Sequence, residues 1–223
     1  MLRIFGLFYK EIQKCRCRRK FRTRQILLSF DDGPDPLYPD RLLELLKREE
    51  IPAVFFVVAE KAARYPHIIE HILADGHRIE YHGANHRHFA PLSRKKAEAF
   101  LDTGLELLRE QGISPSYFRP PFGMLTPAYR AAVRARGMKL CFWSCMAQDW
   151  RKNSKVSVMY DKLCRRSMDG ALVCLHDSGE GCGGAPGAPL RMITALERYI
   201  ACRKRCGYEF ISFETAEERG LLS

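Results

Sequence analysis

The chain has 223 residues, of which 46% are hydrophobic and 28% charged, with 37 Lys and Arg against 26 Asp and Glu. This composition suits one globular domain of ordinary size and excludes a disordered, a collagenous or a multi-span membrane protein. The net charge of +11 would suit a polyanionic partner such as nucleic acid or an anionic membrane face, so its distribution along the chain matters.

Most of the excess charge lies in the first 24 residues, which hold nine Lys and Arg against one Glu, a net charge of +8. The rest of the chain holds 28 Lys and Arg against 25 Asp and Glu, a net charge of +3. We predict that residues 1–24 form a basic N-terminal arm, either a solvated extension or an amphipathic anchor on a membrane or another anionic surface.

The arm places a short apolar patch before its basic residues, which is the reverse of the order in a secretory signal. The patch is also far shorter than the roughly 20 apolar residues of a membrane-spanning helix. We therefore predict no cleavable signal and no transmembrane span, which favours a cytoplasmic or membrane-peripheral location. No nucleic-acid recognition motif accompanies the charge, so no nucleic-acid partner is predicted.

After the arm, strand and helix patterns alternate. The apolar runs QILLSF (25–30) and AVFFVV (53–58) are typical of strands buried on both faces of a parallel sheet, and a leucine-rich helical stretch separates them. Further helices are predicted near 66–75, 93–111, 126–136, 156–168 and 189–206, and further strands near 77–81, 116–118, 139–143, 171–175 and 208–212. Residues 25–223 are thus predicted to form one α/β domain of about seven strands, either a barrel or an open sheet, with its chemistry at the carboxyl ends of the strands.

Two adjacent carboxylates, Asp31 and Asp32, close the first apolar run in the sequence DDGP. These residue types are common in turns, but a turn does not need two acids. Neighbouring side chains at a strand end point in different directions, so the two carboxylates can take different roles in one site.

Two histidines, His82 and His86, follow the third predicted strand and are four residues apart. Imidazoles with this spacing can both reach one metal ion, and with Asp32 they would leave a fourth position for water, as in catalytic zinc sites. The same spacing also arises by chance in a chain with seven histidines.

An arginine and another histidine follow later strands. Arg119 lies in FRPPFG, where its guanidinium could be solvated or could hold a carboxylate through paired hydrogen bonds. His176 follows the apolar run ALVCL, a position suited to proton transfer as well as to a buried core histidine.

In this order, the four motifs SFDDGP, HGANH, FRPPFG and CLHD resemble those of the polysaccharide deacetylase family, the NodB-homology domain of carbohydrate esterase family 4. The resemblance extends from about residue 25 to about residue 222. It implies an α/β fold of the distorted (β/α)7-type barrel kind. It also implies metal-dependent removal of acetyl groups from N-acetylated sugars such as peptidoglycan, chitin-like oligomers or related glycans.

The resemblance further implies roles for the matched residues. Asp32, His82 and His86 would bind a divalent metal, with zinc expected and cobalt, nickel or manganese as alternatives. Asp31 would be the catalytic base.

The remaining motifs supply the other implied roles. Arg119 would orient the catalytic base, the backbone N–H of Phe122 would help to bind the oxyanion, and His176 would be the general acid. Trp150 is expected to line the acetyl pocket, with core packing as the alternative, and Pro121 is expected to contact the substrate.

One motif departs from the family pattern. The family's Asp-x-x-Asp-Trp reads Met146-Ala-Gln-Asp149-Trp150 here, so the first acid, which helps to set the acidity of the catalytic histidine, is missing. We therefore expect either that another group tunes His176 or that the enzyme is slower or differently specific. The alternative function is a catalytically impaired protein of the same fold that binds metal and carbohydrate.

Overall fold

The computed structural model describes residues 23–86, 93–179 and 184–222. The strands are β1 (Gln25–Asp31), β2 (Ala53–Val57), β3 (Arg78–Tyr81), β4 (Tyr117–Phe118), β5 (Lys139–Leu140), β6 (Cys145–Met146), β7 (Ala171–His176) and β8 (Glu209–Phe210). The helices are α1 (Pro39–Arg48), α2 (Ala59–Arg64), α3 (Pro66–Ala74), α4 (Arg94–Arg109), α5 (Pro127–Ala135), α6 (Val156–Arg166), α7 (Ala188–Arg205) and α8 (Phe213–Glu218). None of these helices is long and apolar enough to cross a membrane.

The strands form one parallel sheet in the order β5-β4-β3-β2-β1-β7-β6, with β8 paired to the start of β1. Within the described ranges no ladder joins β5 to β6, so the sheet curls into a half-barrel without closing. The predicted α/β barrel-like fold is confirmed, and its distortion lies at this open seam. Because all the strands are parallel, their carboxyl ends meet at one edge.

Side chains along β1 alternate between two cores. Ile26, Leu28 and Phe30 pack in the main core with the helices, whereas Leu27 belongs to a second cluster on the concave face of the sheet. The period of two therefore brings Asp31, at the end of β1, to the concave face as well. This alternation directs the first carboxylate of the DDGP motif into the half-barrel.

The long helices and strands predicted from the sequence are present. The structure also contains three short elements that the sequence did not predict. These are the two-residue strand β6 and the six-residue helices α2 and α8. Such short segments contain too few residues to show a period of two or of 3.6. The predicted arm lies outside the described residues except for Thr23 and Arg24.

Candidate active site

A carboxylate and two imidazoles converge at the carboxyl edge of the sheet. The Oδ1 atom of Asp32 lies 3.2 Å from Nε2 of His82 and 3.0 Å from Nε2 of His86. All three side chains are buried. Asp32 comes directly after β1, and the two histidines come from the segment after β3, two strands away in the sheet. The structure thus brings the three predicted metal ligands together.

Hydrogen bonding orients His82 towards this cluster. Its Nδ1 lies 2.8 Å from the carbonyl oxygen of Arg119, and because a carbonyl only accepts, Nδ1 carries the proton. The Nε2 atom then has a lone pair directed at the Asp32 carboxylate. A backbone carbonyl that fixes the tautomer of an imidazole in this way is a common feature of metal-ligating histidines.

The cluster fits a divalent metal. Neither carboxylate oxygen of Asp32 has a hydrogen-bond partner in the described part of the chain, although Oδ1 lies close to both imidazoles. Burial raises the pKa of Asp32, but the nearby imidazoles of His82 and His86 outweigh this effect and hold the pKa well below its usual value. A buried, ionised carboxylate that faces two imidazoles is stabilised by a shared cation, and this set of donors suits zinc and similar ions.

Asp31 is held in a different environment by Arg119, whose guanidinium is fully buried. Nη1 of Arg119 donates to Oδ1 of Asp31 at 2.6 Å and to Oγ of Ser29 at 2.8 Å. The guanidinium carbon lies 3.7 Å from the centre of the Phe56 ring, which supports it from one side. The predicted contact between Arg119 and Asp31 is therefore present, and it fixes the orientation of the carboxylate.

His176 ends β7 and is paired with Asp149. Its Nδ1 lies 3.1 Å from Oδ1 of Asp149, and its backbone N–H donates to Oδ2 of the same carboxylate at 2.7 Å. Burial lowers the pKa of His176, but the charge and hydrogen bond of Asp149 more than compensate and raise the pKa to about 10. The group that tunes His176 is thus Asp149, so the loss of an acid at Met146 does not leave the histidine without a carboxylate partner.

The sequence assigned no role to Asp149, because the motif that contains it departs from the family pattern at Met146. The signal that could have identified it is its position next to Trp150, the residue expected to line the pocket. The Trp150 ring packs edge-on against His176, with 4.9 Å between the ring centres.

A cavity of about 180 Å³ lies between these groups. Its lining consists of Asp31, Asp32, His82, His86, Phe122, Gly123, Trp143, Met146, Trp150 and His176. Trp150 lines this cavity, whereas Pro121 is buried and is not among the lining residues. Phe122 has a left-handed backbone (φ 58), and its ring centre lies 4.2 Å from that of His86.

Helix α2 contacts both loops that carry the candidate metal ligands. The N–H groups of Ala59 and Glu60 donate to the carbonyls of Gly83 and Ala84 at 3.0 Å each. On the other side, the Lys61 ammonium donates to the carbonyl oxygen of Asp32 at 2.8 Å. The sequence offers no signal for this arrangement, because one lysine in a short helix has no distinguishing pattern.

A second set of candidate ligands, Asp31, Cys174 and His176, also lies close together. Burial raises the pKa of the Cys174 thiol well above its usual value, so the sulfur keeps its proton and donates to Oδ2 of Asp31 at 3.4 Å. His176 directs Nδ1 at Asp149, and Arg119 occupies the other oxygen of Asp31. The side chains that could bind a metal therefore already take part in hydrogen bonds. These three side chains suit proton transfer better than metal binding.

Comparison with known proteins agrees with this site. The sequence model of the family described as polysaccharide deacetylase matches residues 18–141, which is more than half of the chain. A peptidoglycan-N-acetylglucosamine deacetylase of Bacillus cereus is 29% identical over 189 residues, covering 84% of this chain and 85% of the relative. A chitooligosaccharide deacetylase of a Bradyrhizobium species is 28% identical over 195 residues, covering 84% of this chain and 88% of the relative.

The solved structure of the peptidoglycan deacetylase PdaC from Bacillus subtilis superposes with a TM-score of 0.73 at 25% identity, covering 86% of this chain and 89% of that one. An α/β half-barrel with a carboxylate–imidazole cluster at its carboxyl edge defines the class of metal-dependent carbohydrate deacetylases. The chain belongs to the polysaccharide deacetylase family. The predicted family and enzyme class are confirmed.

Proposed function

We propose that the protein is a zinc-dependent N-deacetylase that hydrolyses the acetamido groups of N-acetylated glycans and releases acetate and a free amine. The observation that carries this proposal is the arrangement around one cavity of three groups with different chemistry. These are the Asp32–His82–His86 cluster, the Asp31–Arg119 pair and the His176–Asp149 pair. Amide hydrolysis requires an activated water, a base for its proton and an acid for the leaving amine.

The metal would be held by Asp32, His82 and His86. When bound, a divalent ion such as zinc lowers the pKa of a bound water and polarises the acetyl carbonyl. Cobalt, nickel and manganese tolerate the same carboxylate and imidazole donors and are the alternatives.

Asp31 takes the proton of the attacking water. Arg119 fixes the orientation of this carboxylate through the 2.6 Å hydrogen bond. The backbone N–H of Phe122 binds the oxyanion that forms. An interaction of this kind typically lowers the activation free energy by about 3–4 kcal/mol.

His176 protonates the departing nitrogen. Its Nδ1 is directed at Asp149, so Nε2 is the atom that delivers the proton. The raised pKa, about 10, keeps the imidazole protonated at neutral pH, as a general acid requires.

The substrate is proposed to be a glycan of N-acetylglucosamine type, such as peptidoglycan or a chitin-like oligomer. Support comes from the relatives, which are deacetylases of peptidoglycan and of chitooligosaccharides. The cavity, at about 180 Å³, is smaller than the roughly 300–1,000 Å³ of sites that enclose a whole ligand. It therefore takes the acetamido-bearing part of one sugar, while the rest of the glycan lies outside.

Acetate release from N-acetylglucosamine oligomers tests the proposal. The zinc-loaded protein should release acetate, a chelator should abolish the release, and added zinc should restore it. Asp31→Asn and His176→Ala should each lower kcat by about 100-fold or more, because each removes a proton-transfer group. Turnover that is indifferent to complete metal removal would contradict the proposal.

The Asp31→Asn variant needs a control for folding, because it leaves the buried guanidinium of Arg119 without its counter-charge. Thermal unfolding and zinc binding of the variant should therefore be measured beside its turnover. A folded, zinc-binding variant without activity supports the role of Asp31 as the base.

A further inference from the structure

The charge of the catalytic domain is concentrated in one segment. Residues 146–166 contain six Lys and Arg against two Asp, a net charge of +4, whereas residues 25–223 together carry only +3. The rest of the domain is therefore close to neutral. The first five residues of the segment include two that line the cavity, Met146 and Trp150. The segment then continues into α6.

Six cations from this segment and from α7 lie around the loop that follows β6. We call them the basic rim, and they are Arg151, Lys152, Lys155, Lys162, Arg166 and Arg191.

Three rim cations contact carbonyl groups of the loop itself. Arg166 donates to the carbonyl of Met146 at 3.4 Å, and Lys162 donates to that of Ala147 at 3.3 Å. Arg191 donates to the carbonyls of Arg151 and Lys152 at 3.4 and 3.1 Å. These contacts place the rim beside the wall of the cavity and hold its cations close to one another.

No rim cation forms an ion pair with a carboxylate in the part of the chain that the structure describes. Of the two acids in the segment, Asp149 is buried and paired with His176, and Asp161 is exposed on α6. Burial and the charges of Arg166 and Arg151 lower the pKa of Lys162. Like charges thus repel each other here without local compensation.

The start of α6 adds to this repulsion. Lys155 is the residue that caps the helix, and the first turn of the helix contains no acid. A helix N-terminus carries a partial positive charge, which favours anionic rather than cationic side chains. A lysine at this position is unfavourable for the helix itself, so a bound anion would relieve both the helix end and the neighbouring cations.

We propose that the basic rim binds an anionic substituent of the glycan, a carboxylate or a phosphate, beside the acetamido group in the cavity. The enzyme would then prefer anionic over neutral N-acetylated glycans. This inference rests on the proposed function, because it assigns a substrate class to the same site. The rim adjoins the cavity, since Arg151 directly follows Trp150, which lines it.

Three tetrasaccharides of equal length test the inference with the zinc-loaded protein. The first carries lactyl ether carboxylates on alternate N-acetylated sugars, the second is its neutral methyl ester, and the third carries a phosphate monoester in place of the carboxylate. At low ionic strength we expect kcat/KM for a charged substrate to exceed that for the ester by about tenfold, since several exposed charge pairs each contribute a few-fold. The preference should shrink as salt is raised to about 0.3 M.

The variant for this test carries Arg151→Gln, Lys152→Gln and Lys155→Gln together. These side chains are exposed and make no hydrogen bond to the described residues, so the loop keeps its contacts. The triple variant should lower kcat/KM for the charged substrate to the level of the ester and leave turnover of the ester unchanged.

The matched control replaces three other exposed arginines by glutamine, namely Arg109, Arg134 and Arg205, which lie in the last turns of α4, α5 and α7. These helix ends precede strands and so lie away from the carboxyl edge of the sheet. This control should keep the preference for charged substrates. A preference for the phosphate alone or the carboxylate alone supports the inference and identifies the anion. Equal turnover of charged and neutral substrates overturns it, and no acetate from any substrate overturns the proposed function and the inference with it.

Discussion

The acidity of His176 depends on a single neighbour. Burial lowers the pKa of this imidazole, and the Asp149 carboxylate provides the largest opposing contribution, with smaller ones from Asp32 and Asp31. A cation bound by Asp32 would cancel much of the contribution from that carboxylate. Asp149 would then be the group that keeps His176 protonated, because its carboxylate contacts Nδ1 of the imidazole directly.

Replacing Asp149 by Asn should therefore shift the pH dependence of turnover. With the carboxylate removed, burial dominates and the pKa of His176 falls, so the protonated acid is lost at a lower pH. The alkaline limb of the profile of kcat/KM against pH should move down by roughly one to three pH units. Asp161→Asn, which removes an exposed charge from α6, is the matched control and should leave the limb in place. An unchanged limb in Asp149→Asn would show that this pair does not set the acidity.

Helix α2 forms hydrogen bonds with the loops that carry the proposed metal ligands. Its first N–H groups bind the loop after β3, and Lys61 binds the carbonyl of Asp32, whose backbone is left-handed (φ 81). A residue other than glycine rarely adopts this conformation without support from its surroundings. The sequence predicted the buried strands on either side, because AVFFVV and QILLSF are long apolar runs, but six residues of helix show no such pattern.

Substituting Lys61 by Met should weaken metal binding more than it weakens the fold. The carbonyl of Asp32 loses its donor, so the carboxylate is held less firmly towards His82 and His86, and zinc affinity should fall by about tenfold. Competition with a chromophoric chelator measures this affinity without relying on turnover. Lys47→Met removes an exposed ammonium from the end of α1 and serves as the control. Equal zinc affinity in the two variants would contradict a role for Lys61 in positioning the ligand.

At the scale of the whole molecule, the sequence predicted which residues meet but not how they are supported. Parallel strands bring their carboxyl ends to one edge, so Asp31, Asp32, His82, Arg119 and His176 could be placed together from strand order alone. The contacts made by Asp149 and Lys61 depend on loop geometry and could not be read in this way. The residues that line the cavity were harder to predict from the sequence, since Pro121 is buried while its neighbour Phe122 lines the cavity.

The predicted arm can be separated from the domain at a defined point. Thr23 donates to Asp169, and the carbonyl of Arg24 accepts from the N–H of Glu209, so we propose that the domain begins at Thr23, two residues before the predicted boundary. Deleting residues 1–22 should abolish binding to anionic phospholipid vesicles while turnover of soluble oligomers stays the same. Deleting residues 1–24 should additionally lower the free energy of unfolding by about 1–2 kcal/mol, because these hydrogen bonds are lost.

Vesicle co-sedimentation and urea unfolding measure these two effects, with vesicles of neutral lipid as the control. Equal co-sedimentation of the intact and the shortened protein would contradict a membrane anchor in the arm. Equal stability of the two deletions would contradict the boundary at Thr23.

The order of the site residues along the chain has a consequence for biosynthesis. Asp32, His82 and His86 belong to β1, β3 and the loops that follow them, which emerge from the ribosome in the first part of translation. Asp149 and His176 arrive much later, and β7 must then insert beside β1, on the side away from β2. A nascent chain would therefore contain the three proposed metal ligands before the proposed proton donor has been synthesised. Metal content alone would not distinguish a finished enzyme from one arrested part-way through its synthesis.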